Sequence, residues 1–208
     1  MCNLCCDNHS HTTQESPDMT TTTPDTLTGT YVLDPSHTRI GFVARHAMVT
    51  KVRGSFNELD GSGFFDASNP AASNLSLTIQ AASIDTRNAD RDAHLRSNDF
   101  FDMEAHPEIT FASTAVEAKG GDVFAVTGDL TMKGVAKPIT VELELTGAAR
   151  DPFGNDRIGL EGKAVVNRKD WGITWNAPLE AGGVLVGEKV TLEFEVSAIK
   201  QTDEASEA

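Results

Sequence analysis

The sequence predicts an all-β fold, a sandwich or a barrel of about eight antiparallel strands. Along most of the chain, apolar and polar residues alternate with a period of two, which is typical of strands that bury one face. Turn residues rich in glycine, proline and aspartate separate these runs at 60–63, 119–122, 151–156 and 181–183. The short spacing between successive runs favours antiparallel hairpins, because parallel strands need long crossover connections.

Five runs show the alternation most clearly. In the last run, Val190 and Leu192 are separated by Thr191, and Phe194 is followed by Glu195. The same parity predicts which side chains of the other runs point inward. These positions are Ile40, Phe42 and Ala44, then Leu75, Leu77 and Ile79, then Phe124, Val126, Leu130 and Met132, and finally Val141, Leu143 and Leu145.

One segment interrupts the alternation and predicts a short helix at 88–97. It opens with Asn88, a residue type that caps helix N-termini, and carries acidic residues in its first turn. It lies within the connection from Ser83 to Pro107, which is too long for a hairpin loop. We expect this connection to cover one side or mouth of the fold, with Leu95, Phe100 and Phe101 directed inward because exposing all three would create a sticky patch.

The ends of the chain differ in composition from its middle. Residues 1–28 are polar and rich in threonine, which predicts a disordered leader, and residues 201–208 predict an acidic disordered tail. The folded domain is expected at 29–200. Residues 1–28 contain no lysine, arginine or apolar run of the kind found in a secretory signal, so we expect a cytoplasmic protein.

The leader contains every cysteine of the chain. Cys2, Cys5 and Cys6 lie close to His9 and His11, a set of ligand types that zinc or copper could use. Because no second ligand pair follows, we predict no metal site and no cofactor. A metal-responsive stress protein that uses this leader is kept as an alternative function.

The net charge argues against two classes of partner. With 17 Lys and Arg against 31 Asp and Glu, the formal charge is -14, which repels nucleic acid and anionic lipid surfaces. We therefore expect no nucleic-acid partner and no direct electrostatic docking to membranes. Any lipid must bind in an apolar cavity, and a homodimer stays open as a further association.

Catalytic signatures are weak throughout the sequence. The phosphate-loop, dinucleotide and serine-hydrolase patterns are each missing required residues, and the histidines do not have the spacing of a zinc helix. His46 continues the inward face of Phe42 and Ala44, so it is either a core histidine or a polar anchor in a cavity. An enzyme acting on an apolar substrate, with His46 or His94 as acid or base, remains the other alternative.

Two further groups of residues are candidates for ligand contact. Arg87, Arg91 and His94 cluster in the predicted helical connection, where they are either solvated surface groups or contacts to a ligand headgroup. Trp171 and Trp175 are spaced so that a strand would place both on one face. In a hollow barrel such residues belong to the core and to the cavity wall at once.

A series of motifs follows in order through the folded part of the chain. They include YVLDPSHT at 31–38, FVARH at 42–46, KVRGSF at 51–56, RDAHLRSNDFFD at 91–102, HPEITF at 106–111, GDLTMKGV at 128–135 and NRKDWG at 167–172. From about Gly29 to Lys200 the sequence resembles the YceI-like family of lipid- and polyisoprenoid-binding proteins.

The resemblance implies an elongated, eight-stranded, antiparallel lipocalin-like barrel with an apolar tunnel. It also implies non-enzymatic binding, carriage or sequestration of a long-chain apolar ligand, such as a polyisoprenoid, a quinone or a fatty amphiphile. The expected tunnel wall consists of Ile40, Phe42, His46, Leu77, Ile79, Leu95, Phe100, Phe111, Phe124, Val126, Leu130, Leu160, Val166, Trp171, Trp175, Leu192 and Phe194.

Overall fold

A computed structural model describes residues 24–180 and 182–202 of the chain. In these ranges two helices accompany eleven β-segments. The helices are α1 (Pro24–Leu27) and α2 (Ala89–Arg96). The β-segments are β1 (Gly29–Leu33), β2 (Arg39–His46), β3 (Thr50–Phe56), β4 (Leu59–Phe65), β5 (Asn74–Gln80), β6 (Ile84–Asp85), β7 (Glu108–Gly120), β8 (Val123–Met132), β9 (Val135–Arg150), β10 (Asp156–Asn167) and β11 (Val186–Lys200).

The strands close into an eight-stranded antiparallel barrel. Its ring runs β1-β4-β5-β7-β8-β9-β10-β11, and β1 closes the ring by pairing with both β4 and β11. The long strand β11 makes this closure possible, since Ala198–Lys200 pair with β1 while 186–195 pair with β2. β2, β3 and β6 extend the sheet beyond the ring at one end. The prediction of a barrel is thereby confirmed over that of a sandwich.

Helix α2 forms at the position that the sequence predicts. The Asn88 side chain accepts a hydrogen bond from the backbone N–H of Arg91 at 2.9 Å, and the helix is followed by Ser97 as its C-terminal cap. The buried carboxylate of Asp92 accepts hydrogen bonds from the backbone N–H and the hydroxyl of Thr86, at 3.0 and 2.5 Å. These bonds fix the helix against β6 and so against the extended end of the sheet.

The segment after α2 crosses the same end of the barrel. Arg96 donates from Nη2 to the Ile84 carbonyl at 2.9 Å, and Lys133, in the turn between β8 and β9, donates to the Asn98 carbonyl at 2.7 Å. The connection therefore touches two sides of the barrel. We call this end, covered by 89–105, the covered end.

At the opposite end a smaller apolar cluster forms around Tyr31, Ile158 and Ala198, with Leu27 packed against it. The Tyr31 hydroxyl donates to the Leu27 carbonyl at 2.7 Å, and Lys200 donates to the Thr26 carbonyl at 2.9 Å. These contacts attach residues 26–28 to the barrel, slightly ahead of the predicted domain start at Gly29. Within the described ranges, no helix is long and apolar enough to cross a membrane.

Candidate functional site

The barrel encloses an apolar cavity of about 280 Å³. Protein interiors are normally close-packed and leave few voids larger than a water molecule, which itself needs only about 10–15 Å³ of such volume. Val126 shows how the alternation builds the wall, because its neighbours across the sheet, Val116 on β7 and Val141 on β9, also line the cavity. The interior is therefore hollow.

Apolar side chains make up most of the wall. Leu33, Ile40 and Phe42 come from the first two strands, and Val190, Leu192, Phe194 and Val196 come from β11. Among the described residues of the wall, only a few carry a polar side chain: Tyr31, Ser62, Ser73, Asn74, Ser76 and Arg168. Such a cavity favours an apolar ligand, with few polar groups to orient it.

Aromatic rings close the covered end. Phe42 and Phe56 lie 5.9 Å apart between ring centroids, and Phe56 meets Phe101 edge-on at 6.0 Å. Phe100 is buried in the cavity wall and lies 5.3 Å from Trp175. The connection that carries α2 thus supplies both the cover and part of the inner surface.

Part of the cavity wall is formed by β4 and β5. Three of the wall residues there are exposed, namely Ser62, Asn74 and Ser76. Ser62 and Ser76 face each other in the strand register, and the Ser76 hydroxyl donates to the Ser62 carbonyl at 3.4 Å. Ser76 lies between the inward Leu75 and Leu77, so strand parity places both serines on the outer face of the barrel. We call this part of the barrel the β4–β5 side.

Arg168 is the one charged residue of the described wall. It lies in a 3-10 turn (Arg168–Trp171) directly after β10 and is only 4% exposed. Its guanidinium donates hydrogen bonds to the carbonyls of Gly187, Ile173 and Val186 at 3.1, 2.8 and 3.3 Å. Burial lowers the pKa of Arg168, although an arginine keeps its charge in proteins.

A second arginine network, only partly buried, lies at the opposite end, outside the cavity. Arg157 bonds Asp34 and also donates to Asp151 at 2.6 Å. The Arg157 guanidinium is the main cause that lowers the pKa of Asp34 to about 2. The Asn155 amide and then Arg157 hold the pKa of Asp151 well below its usual range, and the two carboxylates raise the pKa of Arg157. These ion pairs connect residues next to β1 and β9 with β10, and so stabilise the fold.

Most of the predicted wall residues line the cavity. They are Ile40, Phe42, Leu77, Ile79, Leu95, Phe100, Phe111, Phe124, Val126, Leu130, Leu160, Val166, Leu192 and Phe194. Whether a ligand touches them stays a prediction. For all of them except Leu95 and Phe100, which belong to the connection that carries α2, the placement follows from strand parity, since each lies on the face of its strand that the closed sheet turns inward.

Three predicted wall residues lie elsewhere. His46 ends β2 at the tip of the β2–β3 hairpin, where it is exposed and does not line the cavity. Trp171 and Trp175 do not share a strand face, since the chain leaves β10 and turns at Arg168–Trp171. Trp171 is instead a core residue, 2% exposed, whose indole N–H donates to the Leu130 carbonyl at 2.9 Å. Trp175 packs on Phe100 behind the wall.

The three predicted headgroup contacts also lie outside the cavity wall. Arg87 is exposed, and Arg91 donates from Nε and Nη2 to the hydroxyl and carbonyl of Thr86 at 2.6 and 2.7 Å. His94 lies 2.8 Å from the Asp99 carboxylate and packs edge-on against Phe100 and Trp175. Arg91 and His94 therefore hold the cover in place.

Sequence reasoning missed Arg168 as a wall residue. The sequence pattern indicates it, because the buried positions of β10 are Ile158, Ala164 and Val166, and Arg168 continues their parity. A buried position occupied by arginine at the end of a strand could therefore have been recognised. Among the described residues, no group of three His, Cys, Asp or Glu could hold a metal, and the cysteines of the leader lie outside these residues.

A closed antiparallel barrel with an apolar cavity and a covered end defines a lipocalin-like class of fold. The chain belongs to the YceI-like family, since the model of the YceI-like domain matches residues 31–198. A UPF0312 protein of Photorhabdus laumondii is 43% identical over 147 residues, which cover 70% of this chain and 76% of the relative.

Solved structures share the same fold. BcnA of Burkholderia cenocepacia matches with a TM-score of 0.70 at 23% identity, over 79% of this chain and 98% of that one. A polyisoprenoid-binding domain of Saccharophagus degradans, implicated in plant cell wall breakdown, matches with a TM-score of 0.62 at 18% identity, over 82% and 98% of the two chains. At these identities the similarity shows the fold.

Proposed function

We propose that this barrel binds one long-chain apolar ligand without chemical conversion, and so carries or sequesters it. The candidates are a polyisoprenoid, a quinone and a fatty amphiphile. The observation that carries the proposal is the hollow interior, about 280 Å³ in volume and lined by apolar side chains from every strand of the ring. A cavity of this kind is stable in a folded protein but has no structural use that a filled core would not serve better.

Burial of the chain would supply the free energy of binding. Each methylene moved from water into an apolar environment contributes about 0.8 kcal/mol, so about ten of them contribute about 8 kcal/mol before the costs of ordering. This exceeds what two or three hydrogen bonds to the ligand would contribute. Affinity should therefore depend mainly on chain length.

Two further observations support binding over catalysis. The histidines proposed as acid or base, His46 and His94, do not line the cavity, so neither is placed to reach a bound chain. A barrel of the same fold from Saccharophagus degradans is a polyisoprenoid-binding domain. Both point to the same use of the interior.

The proposal is tested first by what the purified protein carries. We expect mass spectrometry of an organic extract to find a long-chain lipid in near-stoichiometric amount. After the lipid is removed, geranylgeraniol should bind and farnesol should bind more weakly. An extract without any such lipid, together with no binding of either alcohol to the stripped protein, would rule the proposal out.

A substitution that fills the cavity makes the test specific. Val126→Phe should weaken geranylgeraniol about tenfold or more, the equivalent of two displaced methylenes, and leave the unfolding free energy of the stripped protein within about 1 kcal/mol. In a filled core the same enlargement costs about 1–3 kcal/mol. Val165→Phe is the matched control, because Val165 is 64% exposed on the outer face of β10 and should change neither quantity.

A further inference from the structure

Arg168 is an unusual group to find in the wall of an apolar cavity. The closed sheet turns its side chain inward after Ala164 and Val166, and Trp171 anchors the same turn in the core. Its neighbours in the wall, among them Val166, Ile173 and Val186, are apolar. The cation is thus held near the covered end by a rigid part of the fold.

The hydrogen bonds of this guanidinium leave part of its donor capacity unused. An arginine has five N–H donors, and the acceptors present are the three carbonyls of Ile173, Val186 and Gly187. Two N–H groups therefore have no acceptor among the residues that the structure describes. A planar guanidinium with two free donors suits a carboxylate or a phosphate oxygen pair.

No carboxylate of the described chain is in direct contact with Arg168, and Glu188 acts on its charge only from a distance. Among described residues, no carboxylate lies within 4.0 Å of its guanidinium, and the nearby Glu188 is an exposed residue paired with Lys169 at 2.5 Å. Carbonyl groups stabilise the cation by hydrogen bonding but carry no net charge. Because a buried charge without a counter-charge is costly, the site favours an anion.

We propose that Arg168 binds the anionic headgroup, a carboxylate or a phosphate, of the long-chain amphiphile in the cavity. This inference rests on the function proposed above and narrows its ligand class. The headgroup lies at the covered end beside Arg168, and the chain extends through the apolar interior toward the β4–β5 side. Isoprenoid alcohols and quinones then bind less tightly than anionic lipids of equal length.

The surface charge of the protein does not prevent this binding. The formal charge of -14 repels a free anion at long range, but salt screens exposed charges over about 8 Å under physiological conditions. Inside the cavity Arg168 is the nearest charge and is screened much less. The net effect is slower association of anionic ligands with a longer residence time once bound.

The test compares ligands that share one chain and differ in the headgroup. Geranylgeraniol, geranylgeranoic acid and geranylgeranyl phosphate are titrated into the lipid-stripped full chain at pH 8, where both acids are ionised. We expect the acid, the phosphate or both to bind about 10–100-fold more tightly than the alcohol, the range of one charged hydrogen-bonded pair. Preference for only one of them identifies the headgroup as carboxylate or phosphate.

Variants then locate the cause of the preference. Arg168→Gln should reduce the ratio of alcohol to acid dissociation constants to about one, and Arg168→Lys should retain part of it because the charge remains. Lys169→Gln is the matched control: it removes the same charge from the adjacent residue, which is exposed, and should keep the wild-type ratio. The ratio of alcohol to acid dissociation constants is taken within each variant. A substitution that weakens binding of both ligands equally therefore leaves the ratio unchanged.

The outcomes separate the two proposals. If the wild-type protein binds all three ligands equally, the headgroup inference is wrong, and this result does not depend on any variant folding. Retention of the preference in Arg168→Gln overturns it as well. If none of the three ligands binds, the proposed function itself fails.

Discussion

Two arginines at opposite ends of β10 show how differently the two ends of the barrel are built. Arg157, near the start of the strand, points outward and bonds the carboxylates of Asp34 and Asp151. Arg168, just after the end of the strand, points inward and bonds three neutral carbonyls. The pKa of Arg157 is raised by its two partners, whereas burial lowers that of Arg168.

The difference indicates what each arginine does. An arginine that fastens parts of a fold together is accompanied by carboxylates from the same chain, as Arg157 is, and its charge is satisfied before any ligand arrives. Arg168 fixes a turn through carbonyls and keeps its net charge unpaired in an apolar wall. The end with Arg157 therefore serves stability, and the covered end combines stability with the headgroup binding that we propose.

The largest expected effect concerns the packing beneath Arg168. Trp171→Ala should lower the unfolding free energy by about 3–5 kcal/mol, because the indole is 2% exposed and its N–H bonds Leu130. Phe153→Ala, at the turn of the opposite end, is the control and should change it by less than about 0.5 kcal/mol, since Phe153 is 89% exposed. Urea unfolding of both variants measures this. If Trp171→Ala and Phe153→Ala lower the unfolding free energy equally, the turn at Arg168–Trp171 does not anchor the covered end.

The second prediction concerns the loss of the Arg157 ion pairs at the opposite end. Arg157→Met leaves Asp34 and Asp151 close together without their shared cation, and should lower the melting temperature by about 3–6 °C. The ratio of alcohol to acid binding should not change, in contrast to Arg168→Gln. Arg150→Met is the control, as Arg150 is 71% exposed and lies 4.0 Å from Asp156. A changed headgroup preference in Arg157→Met would contradict the assignment of stability to Arg157 and of headgroup binding to Arg168.

The third prediction is a pH dependence at the same end. The pKa of Asp34 is about 2 in the folded protein and about 3.9 in an unfolded chain. Because the folded value is the lower one, this carboxylate stabilises the fold fully above about pH 4, and its contribution disappears as the pH falls through about 2. Melting temperatures between pH 5 and pH 2 should fall less steeply for Asp34→Asn than for the wild type. If the melting temperatures of the two proteins fall equally with pH, the Asp34 carboxylate does not stabilise the fold in this way.

The smallest expected effect lies in the cover. Asn88→Ala removes the side-chain acceptor from the N-terminus of α2 and should cost about 1 kcal/mol, whereas Asn88→Gly should cost only a few tenths. Hydrogen exchange should quicken within 89–96 and stay unchanged in β8 and β9. If both variants exchange as the wild type does, the cap does not hold the cover.

Much of the fold could be predicted from the sequence because the relevant forces are local. The alternation around Phe42, Leu77, Val126 and Leu192 follows from strand geometry, and each of these residues lines the cavity. Asn88 predicted the start of α2 through the same capping bond that is present in the structure. Neither inference needs contacts between distant parts of the chain.

The site was predicted less completely where the chain leaves a strand. His46 was assigned inward by continuing the parity of β2, but β2 ends at this residue and its side chain is exposed. Trp171 and Trp175 were assigned to a strand that ends before them. Alternation predicts the direction of a side chain only while the strand continues and another strand pairs with it. The sequence does not show where either condition ends.

The sequence by itself determined the elements, their inward faces and the apolar character of the interior, because a side-chain period of two is a property of each strand alone. Tertiary structure decided that the sheet closes, since β11 must be long enough to pair with β10, β2 and β1 at once. It also decided which arginine meets a carboxylate. Asp34 and Arg157 are far apart in the chain and meet only across the closed barrel. The same closure leaves Arg168 facing the cavity, where no carboxylate of the described chain lies within 4.0 Å of its guanidinium.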